Sequence, residues 1–182
     1  MIKAYLKYKP SGVEWLGDVP KHWEVKKVRR FILEHKQGYY STDSYTDEGY
    51  RLLRISDFDG NGFVQTTDCP FVEKKADAVQ FLLKENDFVF ARTGGAGSFG
   101  LIKNLSEETV FASYLIRFRF DRTAYAEFLR YAFTSKQFIH GIISNIHGGV
   151  NQNVHAEDIK EQNVPLPPLP EQQAIAAFLD RE

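Results

Sequence analysis

The 182 residues hold one cysteine, Cys69, which excludes an internal disulfide and a thiolate metal cluster. No apolar run approaches the ~20 residues of a membrane helix, and the amino-terminal stretch lacks the apolar segment of a secretory signal. A cytoplasmic protein without a membrane partner is expected. Five histidines are present, and none has the i, i+4 or Cys-x-x-Cys company of a metal ligand, so no metal site is expected. Catalytic signatures are missing too. There is no Asn/Asp-Pro-Pro-Tyr/Phe of an amino-methyltransferase and no Pro-Cys nucleophile, since Cys69 precedes Pro70. Glu73-Lys74-Lys75 lacks the preceding acid that a nuclease centre would need. These gaps favour a binding protein over an enzyme.

An excess of charge of one sign is also lacking, for the formal net charge is −1. Its distribution is uneven: residues 1–36 carry +5, 37–90 carry −5, 91–154 carry +3 and 155–182 carry −4. Affinity for a polyanion tracks the phosphates neutralised locally, not the total charge. The two basic blocks would make one DNA-facing surface if they fold together. Equally, each block reads as an ordinary solvated face.

What is plentiful is aromatic and apolar. The hydrophobic share is 43%, with fifteen Phe and nine Tyr, enough for one sheet-rich core in one domain. Residues 1–20, punctuated by Pro10, Gly12, Gly17 and Pro20, read as an irregular arm anchored by Trp15, Leu16 and Trp23. Trp23 to Glu34 reads as a strand or short helix, Gly49 to Ile55 and Phe88 to Arg92 as strands, and 73–83 as weakly helical. Phe111 to Phe120 alternates, with Ile116, Phe118 and Phe120 on an apolar side. Residues 123–146 carry helical spacing, broken near Thr134–Ser135. The fold class is therefore mixed α/β, with short strands and flanking helices.

Three polar loops stand out. Gly95-Ala-Gly-Ser-Phe-Gly100 fits G-x-G-x-x-G after a strand, with Asp121 as the acid a dinucleotide site requires. The segment after it, from Leu101, is too short and polar for a crossover helix, so a nucleotide site is not expected. The glycines would instead let backbone approach another molecule closely, with Arg92, Thr93, Gly94, Gly95 and Ser98 beside it. Arg92 suits guanine O6/N7 or a phosphate, or else an ion pair at the core edge. Gly148-Gly-Val-Asn-Gln-Asn153 offers Asn151 and Gln152, the side-chain type that reads adenine, while Asn153 suits turn closure. Tyr39, Tyr40, Ser41 and Thr42 form a third candidate, expected to be exposed. Asp57-x-Asp59-x-Asn61-Gly62 resembles the start of a calcium loop, but an Asx-rich turn is the preferred reading.

The carboxyl end reads Leu166-Pro-Pro-Leu-Pro-Glu-Gln-Gln-Ala-Ile-Ala-Ala-Phe-Leu-Asp-Arg-Glu182. The prolines hold an extended entry, Pro170 suits a first helical turn, and Glu171 suits the positive end of the helix dipole. Ile175, Phe178 and Leu179 fall on one face. "VPLPPLPEQQAIAAFLD", the opening "PSGVEWLGDVPKHWEVKKVRRF", "DFVFARTGGAGSFG" and "GGVNQNV" together resemble the specificity subunits of type I restriction–modification systems, in the family's order. Asn86-Asp87 stands where that family has Gly-Asp, and the chain holds one recognition domain where the family usually has two.

The resemblance implies a target-recognition domain over 1–165, then a proline-rich linker and the start of a conserved spacer helix, antiparallel to a second helix, over 166–182. It implies a non-catalytic, sequence-specific subunit that reads half of a bipartite duplex. The partners implied are methylation and restriction subunits carrying S-adenosylmethionine, ATP and Mg, so no cofactor is expected in this chain. Ile175, Phe178 and Leu179 would face those partners or a second copy. The rival expectations are a recognition fragment of a fused restriction–methylation enzyme, and a protein-interaction domain that binds no DNA.

Overall fold

A computed structural model describes residues 5–41, 44–95, 97–144 and 153–181. In chain order the elements are β1 (Tyr8–Pro10), β2 (Asp18–Pro20), β3 (Glu24–Lys27), β4 (Ile32–Gln37), β5 (Tyr50–Leu53), β6 (Phe71–Val72), β7 (Phe88–Ala91), β8 (Phe99–Leu101), β9 (Thr109–Phe111), β10 (Leu115–Phe120), α1 (Ala126–Thr134), α2 (Lys136–Ser144), α3 (Ala156–Lys160), β11 (Asn163–Leu166) and α4 (Leu169–Leu179). The central layer is a four-stranded antiparallel sheet in the order β4-β10-β7-β8. β7 is apolar at every position and buried on both faces, as its sequence Phe-Val-Phe-Ala requires. Phe88 and Phe90 point into the core under the helices, and Val89 and Ala91 into a second core. That second core includes Leu53 of β5 and Phe111 of β9. These belong to a three-stranded sheet in the order β6-β5-β9, in which β5 and β9 run parallel.

The alternation over 111–120 is real, but it belongs to two strands. Ala112 to Tyr114 turn the chain from β9 in one sheet to β10 in the other. A period of two carries straight through such a turn, so pattern alone does not reveal the break. Ile116, Phe118 and Phe120 do face the helices. The 73–83 segment is a 3₁₀ helix over Ala76–Phe81. The break between α1 and α2 falls at Ser135, whose backbone is extended at ψ 138° and whose hydroxyl caps Phe138 N–H. Asn86 adopts φ 69°; a glycine is at ease there, and Asn is among the residues that tolerate it.

The amino-terminal arm contains a hairpin, β1 with β2. Trp23 Nε1–H and the Tyr5 hydroxyl donate to Glu171 Oε1, and His22 Nε2 lies 2.8 Å from its Oε2. Burial by itself would raise the Glu171 carboxyl, but the bonds from Tyr5, His22 and Trp23 outweigh it and hold the group below its ordinary value. Trp23 therefore anchors the arm as expected, whereas Trp15 is exposed.

Residues 166 onward pack on the same core. β11 pairs with β3, Pro167 is buried, and α4 lies against α1. The centre of α4's inner face is Gln172 and Ala176, with Ile175 beside them against the core. Gln172 is fully buried; its amide oxygen accepts from Tyr125 N–H and its Nε2 donates to Thr123 O and Pro167 O, each at 2.8 Å. One side chain thus satisfies three backbone groups at the start of α1 and of α4. Replacing it with Ala strands them in the core, and Gln172→Ala should lower unfolding stability by about 2 kcal/mol or more in urea titration. A loss below ~0.5 kcal/mol, typical of surface changes, would mean that water replaces the amide.

Candidate functional site

Five chain segments end together at one edge of the two sheets. Gly38 N–H donates to Leu115 O, and Tyr39 N–H to Phe111 O, bringing the segment after β4 beside the Ala112–Tyr114 turn. Ala112 N–H donates to Leu53 O, which adds the end of β5. Arg92 N–H donates to Tyr114 O at 2.8 Å, which adds the loop after β7. Finally Val154 N–H donates to Arg92 O at 2.8 Å. Val154, the second described residue after the 145–152 stretch, is thereby joined to the backbone of Arg92.

The loop after β7 returns directly into β8, which is antiparallel to β7. G-x-G-x-x-G here makes a hairpin turn with no helix behind it, so a dinucleotide's pyrophosphate has no helix terminus to meet. Gly94 is exposed at φ 80° with open space where a side chain would go, and Gly95 lies against Ile55. Ser98 is exposed and Thr93 half-buried. The Arg92 guanidinium is half-buried and has no hydrogen bond or ion pair among the described residues, so the core-edge pairing weighed for it is not formed there.

Not every expected residue faces outward. Tyr39 is 7% exposed, bridges to Ala112, and packs its ring on Phe81 within the second sheet's core. The exposure expected for it is corrected: residues 39 and 40 alternate, and the inward member of the pair is Tyr39. Tyr40 is 74% exposed and Ser41 half-buried. Thr42, Asn151 and Gln152 lie outside the described residues. On α4, Ile175 is taken up by the core, Phe178 is half-buried, and Leu179 is exposed along with Leu169.

The structure adds residues that the sequence reading passed over. A hollow of about 450 Å³ is lined by Tyr40, Ser41, Ser44, Tyr45, Ser113 and Tyr114 over an apolar floor that includes Leu52. Next to it, Arg54 leaves β5 and clasps Asp57, with Nε to Oδ2 at 3.2 Å and Nη2 to Oδ1 at 3.0 Å. Burial would raise the Asp57 carboxyl, but Arg54 and the thiol of Cys69 hold it below its ordinary value. The spacing Arg54-x-x-Asp57 was the available signal, though only the fold shows what it serves. Asp59 Oδ1 accepts from Asn61 N–H and Phe63 N–H, an Asx turn and not a calcium loop. No cluster of metal-ligating side chains occurs among the described residues.

The opposite end of the three-stranded sheet carries the contrary charge. A larger hollow of about 860 Å³ there is lined by Glu48, Glu73, Glu107 and Glu108, with Lys74. Elsewhere the basic blocks are partly spent inside the protein. Arg119 bonds Asp87 and Glu34, Arg130 bonds Asp180, and Lys27 and Arg29 share Glu161. The continuous basic face entertained from the charge distribution is not built from these residues.

Comparison with known proteins gives a consistent result. The family model for the type I restriction modification DNA specificity domain matches residues 20–181. The specificity subunit of the type I restriction enzyme EcoKI from Escherichia coli (strain K12) is 27% identical over 177 residues, covering 92% of this chain and 38% of that protein. The MjaVIII specificity subunit from Methanocaldococcus jannaschii is 24% identical over 183 residues, covering 97% and 43%. The chain thus spans about two fifths of the length of these relatives. The fold matches the crystal structure of the HsdS subunit from Thermoanaerobacter tengcongensis, with a TM-score of 0.66 at 17% identity over 96% of this chain and 39% of that one. It also matches the S subunit from M. genitalium, with a TM-score of 0.60 at 21% identity over 87% and 38%. No helix among the described residues is long and apolar enough to cross a membrane.

A methyl group on Gly95 would come 2.5 Å from Ile55 Cδ1. Gly95→Ala should therefore cost ~1–3 kcal/mol as an overpacking change. Ile55→Val removes the offending atom, so thermal unfolding of the double variant should recover most of that loss. Strictly additive effects in the cycle would show that Ile55 does not support the loop.

Proposed function

The chain belongs to the type I restriction modification DNA specificity domain family, and from that premise we propose that it binds double-stranded DNA by sequence and reads one half of a bipartite target. The convergence of the Arg92 loop, the Tyr40–Ser41 segment and the segment at Val154 ahead of α3 on one edge carries this reading. At that edge stands the Arg92 guanidinium, which has no hydrogen bond or ion pair among the described residues, and the acidic hollow lies at the sheet's far end. Such an arrangement favours approach of a polyanion from one side only. Backbone donors, hydroxyls and cations would set the register on phosphates, while Arg92 and the loop amides Asn151 and Gln152 would address base edges.

On this reading the chain performs no chemistry. The methylation subunits it docks would hold S-adenosylmethionine, and the restriction subunit ATP and Mg, in the cytoplasm where the duplex lies. The outward side of α4, with Leu169, Phe178 and Leu179, would meet those partners or a second copy of this chain.

Arg92→Ala should relax discrimination at one base pair by roughly 1–3 kcal/mol in binding titrations with a panel of singly substituted duplexes. Equal loss on every duplex would reassign Arg92 to a phosphate, and absence of salt-dependent binding by the unaltered protein, with its methylation subunit present, would remove the DNA reading. For the second surface, sedimentation should show self-association of the isolated chain that Leu179→Glu abolishes. Leu179 is the better test than Ile175, which the core already holds. Identical monomers in both samples would eliminate the second copy as the occupant of that face.

A further inference from the structure

Arg54 lies at the same edge as Arg92, reached by β5 of the three-stranded sheet. Leu53 ends β5 fully buried and accepts from Ala112 N–H. Two residues beyond Ala112, Tyr114 O takes the N–H of Arg92. The residue after Arg54, Ile55, sits beneath Gly95. Asp57 is held from several sides: it accepts from Arg54 N–H at 2.7 Å and Ser56 Oγ at 3.2 Å, and Cys69 Sγ is 3.3 Å away. Its side chain is 6% exposed, against 29% for Arg54.

The pairing engages one particular edge of the guanidinium. Nε and Nη2 go to Asp57, and the edge formed by Nη1 and Nη2 is the one such a pairing leaves for another acceptor. The side chain of Tyr45, an exposed residue, also hydrogen-bonds the group. We propose that Arg54, braced by Asp57, is a second specificity-determining residue, whose outward edge takes the O6 and N7 of a guanine in the major groove. The inference rests on the DNA-binding reading above and adds a base contact to it.

Two physical points favour a base over a phosphate. Asp57 offsets the positive charge, which weakens attraction to phosphate but leaves the planar two-donor fork intact. The brace also fixes the side chain beforehand, so less rotamer freedom is lost on contact. Lysine keeps the charge but lacks the fork, which makes Arg54→Lys the informative change.

The experiment uses the full chain assembled with its methylation subunit. A duplex is selected from a random pool with the unaltered protein, then affinities are measured for every single base-pair substitution, with thermal unfolding alongside. Arg54→Lys should lose ~5- to 150-fold of discrimination at one G·C pair, distinct from the pair lost with Arg92→Ala. Discrimination elsewhere and affinity for unrelated duplex should stay within about twofold, with cooperative unfolding retained. Asp57→Asn, a near-isosteric change, should loosen the same pair while raising affinity for unrelated duplex, because it frees the cation; a purely structural pair would lower both. Wild-type discrimination in Arg54→Lys, or uniform loss on all duplexes in either variant, overturns the inference. Failure of the unaltered protein to select any duplex is a separate result, which rejects the DNA reading and this inference with it.

Discussion

The packing around Phe133 is the constraint on which the arrangement of loops depends. Its ring stacks on Phe138 of α2 at 4.5 Å and meets Phe88, Phe90, Phe99 and Phe120 at 5.2–5.8 Å. One side chain of α1 thereby touches β7, β8, β10 and α2. Aromatic rings are rigid, large and selective about mutual angle, so this cluster sets how the helices lie on the sheet. The loop after β7 springs from the strand bearing Phe88 and Phe90 and returns through Phe99. Its base is therefore clamped, which is what a contact loop requires if it is to hold side chains in fixed register.

The sheet's other face works differently. Arg117 is almost wholly buried beside Asp87 and bonds Glu34 and Leu82 O. Burial pushes the Arg117 guanidinium down and the Asp87 carboxyl up, against the pull of their partners. Groups in such a network add little net stability, but losing one strands the others. They also draw cations inward. A charge count along the chain overstates the basic surface for this reason, and the guanidinium of Arg92, unpaired among the described residues, means more than the total.

The carboxyl-terminal helix is joined to the body by polar pins at three levels. Glu171 holds the arm through Tyr5, His22 and Trp23, Gln172 holds the start of α1, and Asp180 takes Arg130 and the Tyr131 hydroxyl. Directional bonds of this kind fix the angle at which a short helix leaves a domain more sharply than apolar contact alone. Both the recognition edge and the direction of α4 are thus referred to the same rigid core.

The sequence alone determined the local periodicities: the apolar β7, the face of β10 bearing Ile116, Phe118 and Phe120, the helix pair broken at Ser135, and the helix after Pro170. Each is written in neighbouring residues, and so is the family likeness in its glycine and proline motifs. Only the tertiary structure decided that Tyr39 is core while Tyr40 is surface, that Gln172 and Ala176 are the inner face of α4, and that Arg54 and Arg92 follow strands ending at one edge. Those outcomes depend on which strand ends meet and which carboxylate lies within reach of which cation. Contacts between residues far apart in the chain leave no periodic trace in it, so a single sequence names the candidates and the packed fold selects among them.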